Sequence, residues 1–365
     1  MKKVVTSLCL STLLLSSMIP LAIAAEKPVP IEKKQKQKKV KLSSSYKDSI
    51  DDFFKQRQKE FKNGKMPKLF EKNDETLAYI QYVQEVDNNK LKDYSYDYEV
   101  LEVNKEDDVT EVKVHLVQEF TFENDMKSGF ADEVTISLKN DKSSSELQSA
   151  SENNNIIEFE SDTLETKIDI EKLIEKGKKT KKEEKKAKKE KKDDRSEVAA
   201  YAQRPVQNYT GSAAASYAYK YALSYNPNYI SFRKDCTNFA SQAIYAGGIK
   251  QQLTNDTNYN YLKWYYSTST SYSTSWINVD DLFDVLDSNT IYSTVKSSAS
   301  SLQLGDIIQY DIGKDGNYEH TAVVTKSDST GVLVSYHTTD RRDVKWDFFA
   351  NAQTVPTGIR LIDIH

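Results

Sequence analysis

Cysteine is nearly absent from this chain: two occur in 365 residues, and Cys9 lies inside an apolar N-terminal stretch. Too little hydrophobic sequence precedes Cys9 for it to be a lipidation site. Removal of that stretch leaves Cys236 alone, which excludes an internal disulfide framework. No glycine-rich phosphate loop occurs and no run of residues has metal-ligand spacing, so neither a cofactor nor a metal is expected. The formal net charge of −4 gives no case for nucleic acid. Beyond residue 24 no segment is apolar enough to cross a membrane.

The start of the chain has the layout of a secretory signal. Lys2 and Lys3 precede an apolar run from Val4 to Ala24, and Ala22-Ile23-Ala24 places small residues where a signal peptidase reads. Residues 1–24 are therefore expected to be a cleaved signal peptide, with an uncleaved anchor as the alternative. The destination is outside the cell or at the cell wall. An unpaired thiol there is an oxidation liability, which favours a chemical role for Cys236 over simple core packing.

Charge and periodicity divide the remainder. Residues 25–45 are rich in Lys and Gln and read as a flexible leader. From Tyr46 the period is helical, with Ile50, Phe53, Phe54 and Phe61 on one face and Leu77, Ile80 and Val83 on the next helix. It then changes to two: Tyr94, Tyr96, Tyr98 and Val100, then Val112, Val114 and Leu116, then Val134, Ile136 and Leu138. These predict a small α+β domain over 46–164, with His115 a structural residue of a strand. Residues 165–200 are almost wholly charged. Lacking an apolar stripe, they read as a Lys/Glu-rich spacer, or as a tether to anionic wall polymer or lipid headgroups.

The chemistry concentrates in 201–365. In RKDCTNFASQAIYAGGIK, Asp235 is placed as an N-cap, Phe239, Ala240, Ala243 and Ile244 form one face, and Gly247-Gly248 stops the helix. Cys236 falls in the first turn, where unpaired N–H groups and the helix dipole predict a lowered thiol pKa. Downstream, LGDIIQY, HTAVVTK and VLVSYHT read as an antiparallel meander. His320 opens one strand and His337 ends its neighbour, nearly opposite if the turn centres on Ser329. A tyrosine-rich stretch with Tyr259, Tyr261, Trp264, Tyr265, Tyr266, Tyr272 and Trp276 suits either a cleft for sugars and peptides or core packing.

DCTNFASQAIYAGG, SWINVDDLF, LGDIIQYD, EHTAVVT and YHTTDR resemble, in order, the blocks of the bacterial family described as "putative amidase domain", over roughly Asn208 to Arg360. That resemblance implies a papain-like α+β fold and a Cys–His amide hydrolase, with Cys236 as nucleophile and His320 as base. It points to His337 as the third, orienting residue, with Asp340 as its competitor. The expected chemistry is attack by the Cys236 thiolate, a thioester intermediate, and hydrolysis by water, with the Cys236 N–H as oxyanion donor. A secreted amidase or endopeptidase acting on cell-wall peptide (peptidoglycan) is the resulting expectation. Its alternatives are a thiol peptidase acting on protein and an inactive wall-binding module.

Overall fold

The computed structural model describes residues 42–62, 75–106, 108–139, 156–161, 168–190, 208–258, 260–288 and 290–365. The expected signal peptide and nearly all of the leader lie outside them. The architecture is α+β. Helices α1 (Ser44–Lys62) and α2 (Glu75–Asp87) precede strands β1 (Leu91–Lys105), β2 (Val109–Phe122), β3 (Lys127–Lys139) and β4 (Ile156–Ser161). Helix α3 (Ile170–Glu190) follows, then α4 (Gly211–Tyr221) and α5 (Cys236–Ala246). A short hairpin of β5 (Tyr266–Thr268) and β6 (Ser271–Tyr272) leads to α6 (Thr274–Ile277), α7 (Val279–Leu286) and β7 (Ser293–Lys296). The chain ends with β8 (Ile307–Ile312), β9 (His320–Asp328), β10 (Gly331–Tyr336), β11 (Asp340–Lys345), α8 (Phe348–Ala352) and β12 (Thr357–Ile364).

The alternating patterns of the two halves build one continuous sheet, not two. Its order is β1-β2-β3-β11-β10-β9-β8-β12-β7, with β4 also on β3, and it does not close into a barrel. The junction is antiparallel: Ala131, Phe130 and Gly129 of β3 pair with Asp340, Arg341 and Arg342 of β11. One large core lies under the first half and continues beneath the second, from Phe54, Tyr79 and Phe120 to Tyr310, Tyr336 and Phe348. A second core holds Phe239, Ala243, Ile244, Trp264, Trp276, Val323 and Ile362. On β9 the sides alternate, with Ala322 and Val324 in the first core and Val323 in the second, as a period of two requires.

Arg341 secures the junction. Its guanidinium is 1% exposed and donates from Nε and Nη2 to the two oxygens of Glu75, at 3.1 and 2.7 Å. Nη1 donates to Asp132 at 3.0 Å, and the group lies 4.1 Å from the ring centre of Phe130.

The charged segment expected to be a spacer is, over residues 170–190, the docked helix α3. Leu173 is buried in the first core, and Gly177 lies so close to Tyr82 that an added Cβ would stand 2.3 Å from the ring. Two lysines complete the contact. Lys176 Nζ donates to the carbonyls of Asn351 and Gln353 at the end of α8. Lys181 Nζ donates to the carbonyl of Val86 and to Asp87 at the end of α2. Helix ends leave carbonyls without partners, and lysine satisfies them while complementing the dipole. The helix therefore docks by a short apolar stripe in its first turns, Ile170, Leu173, Ile174 and Gly177, and by two ammonium caps.

Gly177→Ala should lower stability by about 1–3 kcal/mol through overpacking, more than the gain in helix propensity of about 1 kcal/mol. Tyr82 cannot give way, being wholly buried with its hydroxyl on Asp347. Urea denaturation checks this, and a more stable variant would show that α3 does not press on Tyr82.

Candidate functional site

Helix α5 forms where its sequence places it. The apolar face of Phe239, Ala240, Ala243 and Ile244 is buried, and Gly248 turns the chain at φ 103°. Asp235 occupies the N-cap position, yet its side chain makes no capping bond. Its carboxylate turns away instead. Oδ1 accepts from the Phe232 N–H and from Asn238 Nδ2, both at 2.9 Å, and Oδ2 meets His337 Nδ1 at 2.7 Å. The cap comes from a distant strand end: Thr338 Oγ1 accepts the N–H groups of Asp235 and Cys236 at 3.1 and 3.2 Å. Thr338 holds φ at 92°, an unfavourable conformation for a β-branched residue. Nothing local in the sequence marks Thr338 for this task.

Cys236 is buried. Its sulfur lies 3.8 Å from the Glu319 carbonyl oxygen and 3.9 Å from Thr237 Oγ1. The lowered thiol pKa expected from the helix start is not what this setting produces. Burial pushes the thiol up, and the nearby Asp235 charge adds to it, against hydrogen bonds from the Thr321 backbone, Thr237 and Thr338 that pull it down. The Cys236 N–H expected as oxyanion donor is occupied by Thr338.

The two histidines lie on opposite faces of the sheet. The ring of His320 stacks on Phe349 at 4.2 Å and meets Tyr336 edge-on at 4.7 Å, both on the first-core side. Its Nε2 is buried without a hydrogen-bond partner. His337 is on the α5 side, packed between Phe239 at 4.2 Å and Tyr225 at 4.3 Å. One extra residue causes the separation. Leu333 pairs with Lys326 but Val334 with Val324, so Thr325 is a bulge on β9. A bulge shifts register by one, and one residue reverses the face. Continued from Ser335↔Val323, the ladder sets His337 beside Thr321 and not His320. No hydrogen bond joins His320 to Cys236, His337 or Asp340 among the described residues.

His337 is clamped from both ends. Nε2 lies 2.8 Å from the carbonyl of Tyr221 at the end of α4, and Nδ1 faces the Asp235 carboxylate. Both partners are acceptors, so both nitrogens donate and the ring is an imidazolium. Burial alone would lower its pKa, but Asp340, Asp235 and the Tyr221 carbonyl together raise it. Asp340 accepts from the Tyr225 hydroxyl at 3.2 Å, and burial pushes its carboxyl up to about 6, against the pull of His337. Both candidates for a third residue thus gather around Asp235.

The aromatic stretch divides. Trp264 and Trp276 are core residues whose indoles donate to Ser241 and Asn238 of α5. Tyr266 and Tyr272, stacked at 5.9 Å, are half-buried. Tyr259 lies outside the described residues.

Residues 208–359 match the model of the family described as "putative amidase domain", which is consistent with a hydrolase. Two curated relatives from Bacillus subtilis (strain 168) are similar over the same part. The uncharacterized protein YjcM is 35% identical over 158 residues, 40% of this chain and 35% of that one. The uncharacterized protein YhbB is 30% identical over 152 residues, 41% of this chain and 48% of that one. The alignments thus span less than half of each relative's length. No solved structure matches. Among the described residues no cluster of histidine, cysteine and carboxylates has metal-binding geometry.

His320 supplies a pH test of this arrangement. Burial lowers its pKa to about 3, from 6.5. A depressed folded pKa gives stability that is present above 6.5 and is lost as pH falls towards 3, by about 1.4 kcal/mol per pH unit. His320→Gln should flatten the fall in unfolding free energy between pH 6.5 and 4. Equal slopes in wild type and variant would show that the ring reaches water or a carboxylate.

Proposed function

We propose that this chain is a secreted thiol amidase that hydrolyses amide bonds in cell-wall peptide through Cys236. The observation that carries the reading is the position of Cys236: it starts a buried helix inside the amidase-family match, directly after an Asp235 carboxylate paired with imidazolium. The Lys2–Ala24 signal layout supports export, and the Cys–His chemistry of the resembling family supports the reaction class.

In this proposal His337, on the α5 side of the sheet, replaces His320 as the proton carrier. The substrate carbonyl oxygen takes the place of the Thr338 hydroxyl at the Cys236 N–H. Once the imidazolium has given up its Nε2 proton to solvent, that nitrogen takes the thiol proton as sulfur bonds to the carbonyl carbon and returns it to the departing amine as the C–N bond breaks. Water then attacks the thioester, releasing the carboxylic acid and restoring the thiol. Moving that proton requires His337 to leave the Tyr221 carbonyl, a shift of a side chain and not of the sheet.

Turnover of wall peptide fragments, with casein in parallel, tests the reading. Cys236→Ala should abolish hydrolysis. His337→Asn should lower turnover by about 10²–10⁴, the range of general acid–base catalysis, while His320→Gln retains it where circular dichroism shows a native fold. Hydrolysis surviving in Cys236→Ala rejects the thiol mechanism. A folded but inactive His320→Gln beside an active His337→Asn returns the base to His320. Cleavage of casein but not of wall peptide changes the substrate to protein.

Iodoacetamide should label Cys236 in the folded protein more slowly than a free thiol of pKa about 8.5, because burial disfavours the thiolate. Labelling at neutral pH as fast as an exposed model thiol would contradict the buried, capped state.

A further inference from the structure

The docking of α3 leaves one of its sides to solvent, and that side is uniformly charged. Between residues 171 and 186 the exposed positions are Lys172, Lys178, Lys179, Lys182, Lys185 and Lys186, with Glu171, Glu175 and Glu183. Lys178 pairs with Glu85 at 3.5 Å. Lys172, Lys179, Lys182 and Lys185 wind along the outer side with Glu175 and Glu183 among them, and at about 1.5 Å per residue they cover about 20 Å of the axis. Like charges three residues apart destabilise an isolated helix. The fold does not require these four, because docking is carried by Leu173, Gly177, Lys176 and Lys181.

We propose that the outer face of α3 is a docking surface for a linear polymer of repeating phosphate groups, separate from the Cys236 site. The charge pattern is complementary to such a chain: six exposed lysines against three exposed glutamates leave the face net positive, and each ammonium is a compact point charge suited to phosphate. The helix is held at both α2 and α8, so the face is fixed before the polymer arrives and little ordering entropy is lost on binding. A membrane surface fits less well. Helices that lie in an interface bury an apolar face there, and here the apolar side chains Leu173, Ile170 and Ile174 pack on the protein core.

The test uses the purified full-length protein with long-chain inorganic polyphosphate, and with phosphatidylglycerol vesicles as the rival. Polyphosphate should bind in low salt and weaken steeply as salt rises. Joint replacement Lys172→Gln, Lys179→Gln, Lys182→Gln and Lys185→Gln should weaken binding at least tenfold, and Arg at the same four positions should restore it. Circular dichroism should show α3 intact in both variants, and hydrolysis of a soluble peptide should not change. Undiminished binding by the Gln variant overturns the proposal, as does capture by vesicles equal to or tighter than that by polyphosphate. Loss of peptide hydrolysis in Cys236→Ala with polyphosphate binding retained would show the two sites to be independent.

Discussion

A guanidinium removed from water must find its counter-charges in the protein, and at Arg341 those charges belong to the other half of the chain. Glu75 starts α2 and Asp132 lies on β3, while Arg341 lies on β11. Removing one partner of such a buried set leaves the rest uncompensated, typically at a cost of about 3–5 kcal/mol. The β3–β11 ladder and the ring of Phe130 hold the same residue. The two halves are therefore joined by a sheet, a charge cluster and a common core. This anchorage lies close to the site: β11 opens at Asp340, two residues after the Thr338 that caps Cys236. The position of the α5 cap depends on residues more than two hundred positions upstream.

Thr325 decides the chemistry available on each face. In an uninterrupted ladder, His320 and His337 would point to the same side, and a cysteine above them would meet both. The bulge adds one residue to β9, and every side chain beyond it on β10 changes side relative to β9. The Thr325 hydroxyl lies 3.1 Å from Ser335 Oγ, so the extra residue is bonded into place. Both imidazoles lie among aromatic rings, but only His337 also has the carboxylates of Asp235 and Asp340 near it, so the two environments drive imidazole in opposite directions.

Much of this was legible in the sequence because it is local. The period-two runs at Tyr94–Val100, Val112–Leu116 and Val134–Leu138 lie within β1, β2 and β3. The apolar face and terminal glycines of α5 fix its extent, and Cys236 is its first residue. What was not legible depends on partners distant in sequence. Lys176 and Lys181 resemble every other lysine of their run until the ends of α8 and α2 are placed beside them. Asp235 looks like an N-cap until His337 arrives to claim its carboxylate. The bulge follows from no residue type at position 325, and without it the meander of β8, β9 and β10 suggests a face that the fold reverses.

The two buried imidazoles also divide the pH dependence of the fold. For His337 the folded pKa is raised, so its stabilisation is complete below 6.5 and is lost as pH rises through the folded value. Asp340 acts in the same direction: with a folded pKa of about 6 against 3.8, it favours the fold when protonated and costs stability once ionised. His320, lowered to about 3, does the reverse and favours the fold only while neutral. Acid therefore costs stability through His320, and alkali through His337 and Asp340. The stability contributed by these groups is greatest where His320 is neutral and His337 and Asp340 are still protonated.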